Sequence, residues 1–354
     1  MSLLDKNRVL GTRMKDIAKD LGVSVTTISK ALRNHPQVGS KMRREILARA
    51  RELNYRPNFA ARGLVTGRSY LVGLVATSLH HPFFAEIATC ISDALKKSGY
   101  SLIVSLSDHD SNIKKQELDQ LSARRLDALI IVSCDLRVEL FFRDELQKTA
   151  DSLVEQDLPG ICAHSVRVDD EAAGARATEH LIDMGCRRIA HIGCAETTVG
   201  LTRLEGYRGA LVHAGLEFNE DHIVRISKDD LDSKLHGAEA MTELLSHKSR
   251  PDGVVCFNDP LAIGAMYRIL DSAWRIPDDI ALIGCGDLYY DDSLRVPLSS
   301  IDQRIPELAQ EAARIILRVL SGGVPRKPKS SVLQPRLVVR ASTQRKEVGA
   351  RGEL

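Results

Sequence analysis

The sequence predicts an all-α N-terminal unit joined to an α/β body of two Rossmann-like lobes. In residues 13–53, apolar side chains recur at the spacings of short helices, with Gly22 between the first two. From about residue 70, short apolar runs alternate with amphipathic stretches, which indicates parallel strands covered by helices on both faces. Eight strand candidates exceed one comfortable sheet, so we expect two lobes with a ligand cleft at the carboxyl ends of their strands.

The alternation defines the elements of the body. The apolar runs predicted as strands are Leu71–Ala76, Tyr100–Leu106, Ala128–Ser133, Leu158–Ala163, Arg188–Gly193, Ile223–Ser227, Gly253–Phe257 and Ile280–Gly284. The stretches predicted as helices include Phe83–Ser98, Glu171–Met184, Leu204–Ala214, Lys234–Ser246 and Leu261–Ser272. Continuous apolar runs are typical of parallel strands that are buried on both faces.

Length and composition exclude several classes of protein. The chain has 354 residues, more than one domain of about 150 residues would contain. No run of about 18 apolar residues occurs and the first residues lack the apolar core of a signal peptide, so we expect a cytoplasmic protein without a membrane span. The seven cysteines stand singly, which predicts reduced, buried thiols and no metal site.

The charge is unevenly distributed along the chain. Residues 1–68 contain 15 Lys and Arg but only 5 Asp and Glu, a net charge of +10, whereas the remainder carries a net charge of −8. This asymmetry indicates contact with a polyanion through the N-terminal unit alone. A solvated charged segment is the alternative, but these charges interleave with a regular apolar pattern.

The second predicted helix has the features of a DNA-reading helix. Gly22 can supply the positive φ of a tight turn, and Ser24 can cap the helix that follows. The exposed face is predicted to carry Val25, Thr26, Ser29 and Lys30. Methyl groups of Val25 and Thr26 suit a thymine methyl, and Lys30 could reach guanine or a phosphate. A three-helix module that binds protein is the alternative, which the basic charge disfavours.

Four short motifs connect this segment with a known family. They are Lys15-Asp-Ile-Ala18, Gly22-Val-Ser24, Thr27-Ile-Ser-Lys30 and Tyr55-Arg-Pro-Asn58. Through them, residues 13–64 resemble the helix-turn-helix headpiece of the LacI/GalR family of bacterial regulators, and the likeness continues through the body. The resemblance implies DNA contacts from Ser24, Val25, Thr26, Thr27, Ser29, Lys30, Arg43, Tyr55, Asn58, Arg62 and Leu64.

The headpiece departs from the family pattern at three positions. Lys30 stands where the family usually has Arg, which puts bidentate contact with guanine in doubt. Arg13 stands where Thr usually precedes the first helix, so Thr12 is a candidate for its cap. Gly39 replaces the Ser that usually caps the third helix.

A short hinge helix is implied after Pro57. In the resembled family this segment folds on DNA, pairs with its dimer mate and wedges a leucine into the minor groove; Leu64 matches that leucine. Gly63 replaces the family's usual Ser and should weaken the hinge helix by roughly 0.5–1 kcal/mol. A plain interdomain linker is the alternative.

Five motifs of the body also match the family. They are His81-Pro-Phe-Phe84, Gly185-Cys-Arg-Arg-Ile-Ala-His-Ile-Gly193, Arg203-Leu-Glu-Gly-Tyr207, Asn258-Asp259 and Arg340-Ala-Ser-Thr343. The resemblance implies a periplasmic-binding-protein-like body with polar groups of these motifs at strand ends facing the cleft. The implied effector-binding residues are His80, Phe83, Asp108, His164, Arg203, Asn258 and Asp287.

Two departures bear on the effector. Gly286 stands where the family usually has an aspartate that binds effector hydroxyls. The stretch before Val168 is shortened, so that a common ligand donor is missing or replaced by His164, while His80, His81 and Tyr289 can substitute. We therefore expect an effector other than the family's commonest sugar type in its commonest pose, with sugar derivatives included, or no effector at all.

Two other classes of protein share Rossmann-like lobes. An enzyme is disfavoured because no dinucleotide fingerprint, P-loop, nucleophile elbow or metal-spaced set occurs, and we expect neither cofactor nor metal. A solute-binding transport protein would need export, which the first residues do not support. The basic headpiece separates both classes from a DNA-binding regulator.

The sequence thus predicts a transcriptional regulator, a repressor by resemblance, modulated by a small molecule. We expect a homodimer on a pseudo-palindromic double-stranded operator, without a coiled coil in the tail. The expected domains are a headpiece (1–57), a hinge (58–69), a body (70–345) and a tail (346–354). Lobe 1 is predicted at about 70–163 and 290–322, and lobe 2 at about 164–289 and 323–345.

Overall fold

A computed structural model describes most of the chain in two compact units, Met1–Ser69 and Tyr70–Leu354. The described residues are 12–32, 34–56, 67–107, 111–132, 138–142, 164–227, 231, 233–322 and 330–345. The predicted hinge helix, the predicted strand Leu158–Ala163, Asp108 and the tail lie outside these ranges.

Three helices form the described part of the first unit. They are α1 (Met14–Leu21), α2 (Val25–Leu32) and α3 (Ser40–Glu52). Their shared core consists of Ile17, Ala18, Ile28, Ala31, Val38, Ile46 and Ala50, all buried. On the surface, the Arg49 guanidinium of α3 binds the Asp20 carboxylate of α1 at 2.6 Å. The apolar side chains that recur at helical spacing in the sequence therefore pack into one small core.

The turn between α1 and α2 has the predicted geometry. Gly22 adopts a left-handed conformation with φ of 64°, which a glycine enters without a steric penalty. Ser24 Oγ accepts the Thr27 backbone N–H at 3.0 Å and so caps α2. At the start of α1, the Asp16 carboxylate accepts the Arg13 N–H at 2.7 Å. The predicted cap by Thr12 is wrong, because the Thr12 hydroxyl donates to the Leu53 carbonyl instead.

The first lobe of the body is built on a six-stranded sheet. Its strands are β1 (Leu71–Ala76), β2 (Ser101–Leu106), β3 (Ala128–Val132), β4 (Val138–Phe142), β5 (His164–Val168) and β11 (Ser330–Leu333), in the order β11-β5-β4-β3-β1-β2. Helices α4 (Pro82–Lys96) and α10 (Ile305–Leu320) cover one face, and α5 (Ser111–Ala123) covers the other.

The second lobe repeats the arrangement with a second six-stranded sheet. Its strands are β6 (Ile189–Gly193), β7 (Ile223–Arg225), β8 (Gly253–Cys256), β9 (Ala281–Gly286), β10 (Ser299–Asp302) and β12 (Arg336–Val338), in the order β12-β10-β9-β8-β6-β7. Helices α6 (Asp170–Asp183) and α7 (Thr198–His213) cover one face, while α8 (Lys234–Ser246) and α9 (Asp259–Leu270) cover the other. None of the described helices is long and apolar enough to span a membrane.

The predicted all-parallel sheets need a correction. In the first sheet, β4 runs antiparallel to both β3 and β5. In the second sheet, β12 runs antiparallel to β10. Antiparallel strands that follow each other directly, such as β3 and β4, need no helix between them. The alternation of strands and helices in the sequence therefore did not indicate this pair.

The predicted lobe boundaries also need correction. Strand β5 pairs with β11 in the first sheet, although both were assigned to lobe 2. Strand β10 pairs with β9 in the second sheet, although residues 290–322 were assigned to lobe 1. The chain therefore passes between the lobes three times, after β5, after β10 and between β11 and β12. Strands β5, β10 and β11 are short and partly polar, so none of the three forms a continuous apolar run.

Helices α6 and α7 pack with their backbones in close contact. A Cβ on Gly174 would collide with the Arg203 carbonyl, and one on Gly206 would collide with the Glu171 carbonyl. Reciprocal glycines thus bring the two helices together and fix the position of α7, which carries Arg203.

Two substitutions on α7 test this packing. Gly206→Ala should lower the free energy of unfolding by roughly 1–3 kcal/mol, because the added methyl group overpacks the contact. Gly209→Ala adds the same group three residues away, where no atom lies within 4 Å, and should stabilise the helix by about 0.5–1 kcal/mol. Denaturant unfolding of the full chain measures both; equal stabilities of the two variants would contradict the close contact.

Candidate nucleic-acid interface and inter-lobe site

Helix α2 presents its first turn to solvent. Val25 is 44% exposed and Thr26 is exposed, whereas Ile28 and Ala31 of the same helix are buried in the core. The Ser24 and Thr27 hydroxyls lie 2.8 Å apart, so each already has a partner within the headpiece. Of the predicted contacts in the first turn, Val25 and Thr26 are therefore the exposed side chains for which no hydrogen bond within the described headpiece is seen.

Lys30 lies one turn further along α2 and has a polar neighbour. Its Nζ donates to Gln37 Oε1 at 2.7 Å, which holds the ammonium near the loop that follows the helix. Ser29 is half-buried and also makes an interaction within the protein.

Two of the predicted DNA contacts have structural roles in the headpiece. Arg43 donates through one guanidinium nitrogen to the His35 carbonyl at 2.7 Å and to the Val38 carbonyl at 2.9 Å, and so fixes the loop before α3. Tyr55 packs against the headpiece core, and its burial raises the pKa of the phenol. Asn58, Arg62 and Leu64 lie outside the described residues.

The two lobes meet where their strands end. His81 follows β1 and caps α4, with Nδ1 accepting the Phe83 N–H at 3.1 Å. Asn258 follows β8 and caps α9, with Oδ1 accepting the Leu261 N–H at 3.0 Å. Asn258 Nδ2 lies 3.5 Å from His81 Nε2, so the carboxyl ends of β1 and β8 face each other across the lobes. This is the place where a ligand binds in open α/β folds.

Arg203 is almost fully buried below this face and is bound on several sides. Its Nε donates to the Asp170 carboxylate at 3.0 Å. One terminal nitrogen donates to the Phe257 carbonyl at 2.6 Å, and the other donates to Gln303 Oε1 at 3.2 Å. The guanidinium also lies 4.8 Å from the centre of the Phe257 ring. Asp170 and Gln303 escaped the sequence-based prediction, because only the fold brings them to Arg203.

The other predicted effector residues differ in how exposed they are. Phe83 is fully buried in the core of the first lobe, so in this structure its ring is not presented to a ligand. His164 is buried at the start of β5 and interacts with another group of the protein, whereas His80 is exposed. Asp287 is bound by Arg340 at 2.6 Å. Asp108 lies outside the described residues.

The terminal motif Arg340–Thr343 fastens the second lobe, and its residues Ser342 and Thr343 do not face the cleft. Ser342 Oγ donates to the Leu282 carbonyl at 2.6 Å. Thr343 Oγ1 lies 2.7 Å from both Ser299 Oγ and His180 Nε2. Both residues are fully buried, so their polar groups stabilise the lobe itself.

Comparisons with known proteins agree with both units. Residues 13–58 match the family model of bacterial regulatory proteins of the lacI family, and residues 178–343 match that of a periplasmic binding protein-like domain. The ribose operon repressor of Haemophilus influenzae is 31% identical, over 93% of this chain and 98% of that protein. The chain belongs to the lacI family. It is therefore a DNA-binding transcriptional regulator.

Solved structures of the family share the fold. A transcriptional regulator CelR–cellobiose complex superposes with a TM-score of 0.67 at 25% identity, covering 94% of this chain and 99% of that one. A lac repressor dimer bound to operator and an anti-inducer superposes with a TM-score of 0.76 at 24% identity, with the same coverage. The second likeness concerns the fold alone.

This lacI-family chain contains a pair of buried carboxyls that the sequence did not reveal. The Leu288 N–H is shared between Asp259 Oδ2 at 3.3 Å and Asp291 Oδ2 at 2.9 Å. Ser300 Oγ donates to Asp259 Oδ1 at 2.6 Å. Burial, together with the neighbouring negative charge, raises the pKa of both carboxyls above that of an ordinary aspartate. The pair spans 32 positions of sequence, so only the folded lobe brings it together.

Asp291→Asn should alter the pH dependence of stability. With the folded-state pKa values raised, the native state binds more protons than the unfolded chain above about pH 4, so stability falls as pH rises. Asparagine keeps an acceptor for Leu288 and removes one titrating carboxyl, so this fall should become shallower, with a gain of roughly 1–3 kcal/mol at alkaline pH. Denaturant unfolding across pH measures it. Exposed Asp292 provides the control: a matching effect of Asp292→Asn would contradict the assignment.

Proposed function

We propose that this regulator reads an operator with Val25, Thr26 and Lys30 of α2 and represses transcription from it. The exposed first turn of a capped helix carries the proposal, because that is where recognition helices contact base edges. The net charge of +10 in residues 1–68 supplies attraction to phosphates. Held near Gln37, Lys30 acts as a point charge beside the groove, without the bidentate fork of an arginine.

We propose further that two copies act together on a pseudo-palindromic site. The structural likeness to a lac repressor dimer bound to operator supports a dimer, since half-site symmetry mirrors the twofold symmetry of the protein. The motifs at Asn58, Arg62 and Leu64 support a hinge within residues 58–69 that enters the minor groove. Family membership and the curated relatives support a cytoplasmic regulator without enzymatic activity.

The body is proposed to bind a small effector between its lobes. The support is the facing of His81 and Asn258 at strand ends, with exposed His80 and Tyr289 following β1 and β9. Because Arg203 and Asp287 already bind protein groups, they are proposed to shape the site, while the exposed side chains select the ligand. The relative in complex with cellobiose favours a sugar or sugar derivative. An effector that prefers one lobe arrangement would shift the DNA-binding population.

Operator specificity provides the first test. DNA selected by the full chain from a random pool supplies the operator. The Val25→Ala/Thr26→Ala variant should lose about 5- to 100-fold in affinity for it, since the two small side chains together should contribute roughly 1–3 kcal/mol, about as much as one good bidentate base contact. Binding to random DNA should stay unchanged, because the phosphate contacts remain.

Lys19→Ala provides the matched control for this test, because Lys19 is exposed and belongs to α1 and not to the proposed reading helix α2. Fluorescence anisotropy at fixed salt measures specific and non-specific affinity for each variant. If the Val25→Ala/Thr26→Ala variant kept the parent's preference for the selected DNA, α2 would not be the reading helix.

Effector binding is tested by thermal shift with a panel of sugars that includes ribose and cellobiose. A ligand at 100 times its Kd should stabilise the native state by about 2.7 kcal/mol and raise its Tm. His80→Ala and Tyr289→Ala should each reduce that shift. Tyr267→Ala, which removes a half-exposed tyrosine from the outer helix α9, should keep it. A shift that survives both site substitutions would place the ligand elsewhere.

A further inference from the structure

The second lobe contains a cavity of about 610 Å³ at the end opposite the inter-lobe face. Its rim includes Arg188, Arg250 and Ile280, which lie just before the parallel strands β6, β8 and β9. Asn258 and Asp287 follow the other ends of β8 and β9. The cavity is therefore distinct from the effector site, and its size is in the range of small-molecule sites.

Positive charge dominates the rim. Lys248 and Arg250 are exposed and form no ion pair with any described residue. The third cation, Arg188, donates to the Arg250 carbonyl at 2.8 Å and forms an ion pair with the Asp252 carboxylate at 3.6 Å. Lys248 and Arg250 are thus the two cationic groups available to one bound molecule.

The two acidic side chains at or beside the cavity, Asp279 and Asp252, are already bound by other groups of the protein. Asp252 Oδ1 accepts the backbone N–H groups of both Arg187 and Arg188 at 2.9 Å. Asp279 accepts the Arg275 guanidinium at 2.9 and 3.0 Å and the Arg275 N–H at 2.8 Å. These hydrogen bonds hold the pKa of Asp279 below its usual range, and Arg275, which also contacts Asp278 at 3.3 Å, is its ion-pair partner. Neither carboxylate is left to balance Lys248 and Arg250.

Trp274 forms one wall of the cavity and is the single tryptophan of the chain. The Arg250 guanidinium lies 4.4 Å from its ring centre, a cation–π contact that holds the arginine at the cavity. Ser249 also lines the cavity. The Ser249 backbone carbonyl lies 2.7 Å from His222 Nε2, which anchors the loop. The cavity thus has a positioned guanidinium, an ammonium and an aromatic wall.

We propose that this cavity is a second ligand site, which binds a small organic phosphate. A carboxylate has two oxygens, which one guanidinium satisfies. A phosphate monoester has three terminal oxygens and a charge of about −1.5 to −2, which matches a pair of cations, one of them a guanidinium. Lys248 and Arg250 bind the phosphate. The organic part lies along Trp274.

Inorganic pyrophosphate is the probe that tests the phosphate subsite. The full chain is titrated at constant ionic strength, and the emission of Trp274 reports events at the cavity alone. The parent should show a saturable change. Lys248→Ala should weaken the apparent affinity at least about tenfold, since a charge-assisted hydrogen bond is lost. Lys234→Ala removes an exposed lysine elsewhere on the same lobe and should stay within about twofold of the parent.

Arg250 is tested by calorimetry, because its removal also changes the surroundings of Trp274. Arg250→Ala should weaken pyrophosphate binding to a similar degree. Arg208→Ala is the matched control, since Arg208 lies 4.4 Å over the Phe218 ring on the same lobe, outside the cavity. Absence of saturation in the parent, or equal affinity in the Lys248→Ala and Lys234→Ala variants, would overturn the site. Citrate binding as tightly as pyrophosphate would overturn its assignment to phosphate.

Discussion

The buried guanidinium of Arg203 is the interaction on which the second lobe depends. It joins α7, which carries it, to Asp170 at the start of α6, to the Phe257 carbonyl after β8 and to Gln303 after β10. A buried charge persists only when it is paired and hydrogen-bonded, so all three partners must be in place together. The close approach of α6 and α7 at their glycines permits this, because it lets the Arg203 backbone lie against Gly174. Arg203 thereby links the elements that lie below the inter-lobe face.

The sequence predicted those parts of the fold that depend on local pattern. Strand Leu71–Ala76 and helix Lys234–Ser246 have the predicted bounds, since each is a continuous apolar run or a periodic stretch. Strand β5 was missed, because polar residues interrupt His164–Val168 and the prediction relied on continuous apolar runs. Strand β10 begins with two serines whose hydroxyls bind Arg340, Thr343 and Asp259. Polar strands of this kind are stabilised by partners distant in sequence, so no local pattern marks them.

The same distinction applies to the sites. In the headpiece, Gly22 and Ser24 affect only residues a few positions away in the sequence. The turn and the cap were therefore predicted correctly. In the body, Arg203 and Asn258 were placed near the inter-lobe face, but their partners Gln303 and Leu231 come from other segments of the chain. Phe83 shows the opposite error: an aromatic side chain beside a strand end suits a ligand or a core, and in this structure it belongs to the core.

The departure at Gly286 has a physical reason that the sequence alone did not show. Gly286 has φ of 152° and lies against the Asp259 carboxylate, so that a side chain here would collide with that group. An aspartate at this position would also bring a negative charge onto a carboxyl that is already buried beside Asp291. The chain instead carries its second acidic group at Asp291, where the Leu288 N–H binds both carboxyls. Asp259 is the first residue of α9, so these hydrogen bonds attach the loop from Gly286 to Asp291 to that helix. The exposed Tyr289 lies on this attached loop. The two buried carboxyls thus support the loop from within the lobe, and its aromatic side chain remains at the surface, where a ligand could contact it.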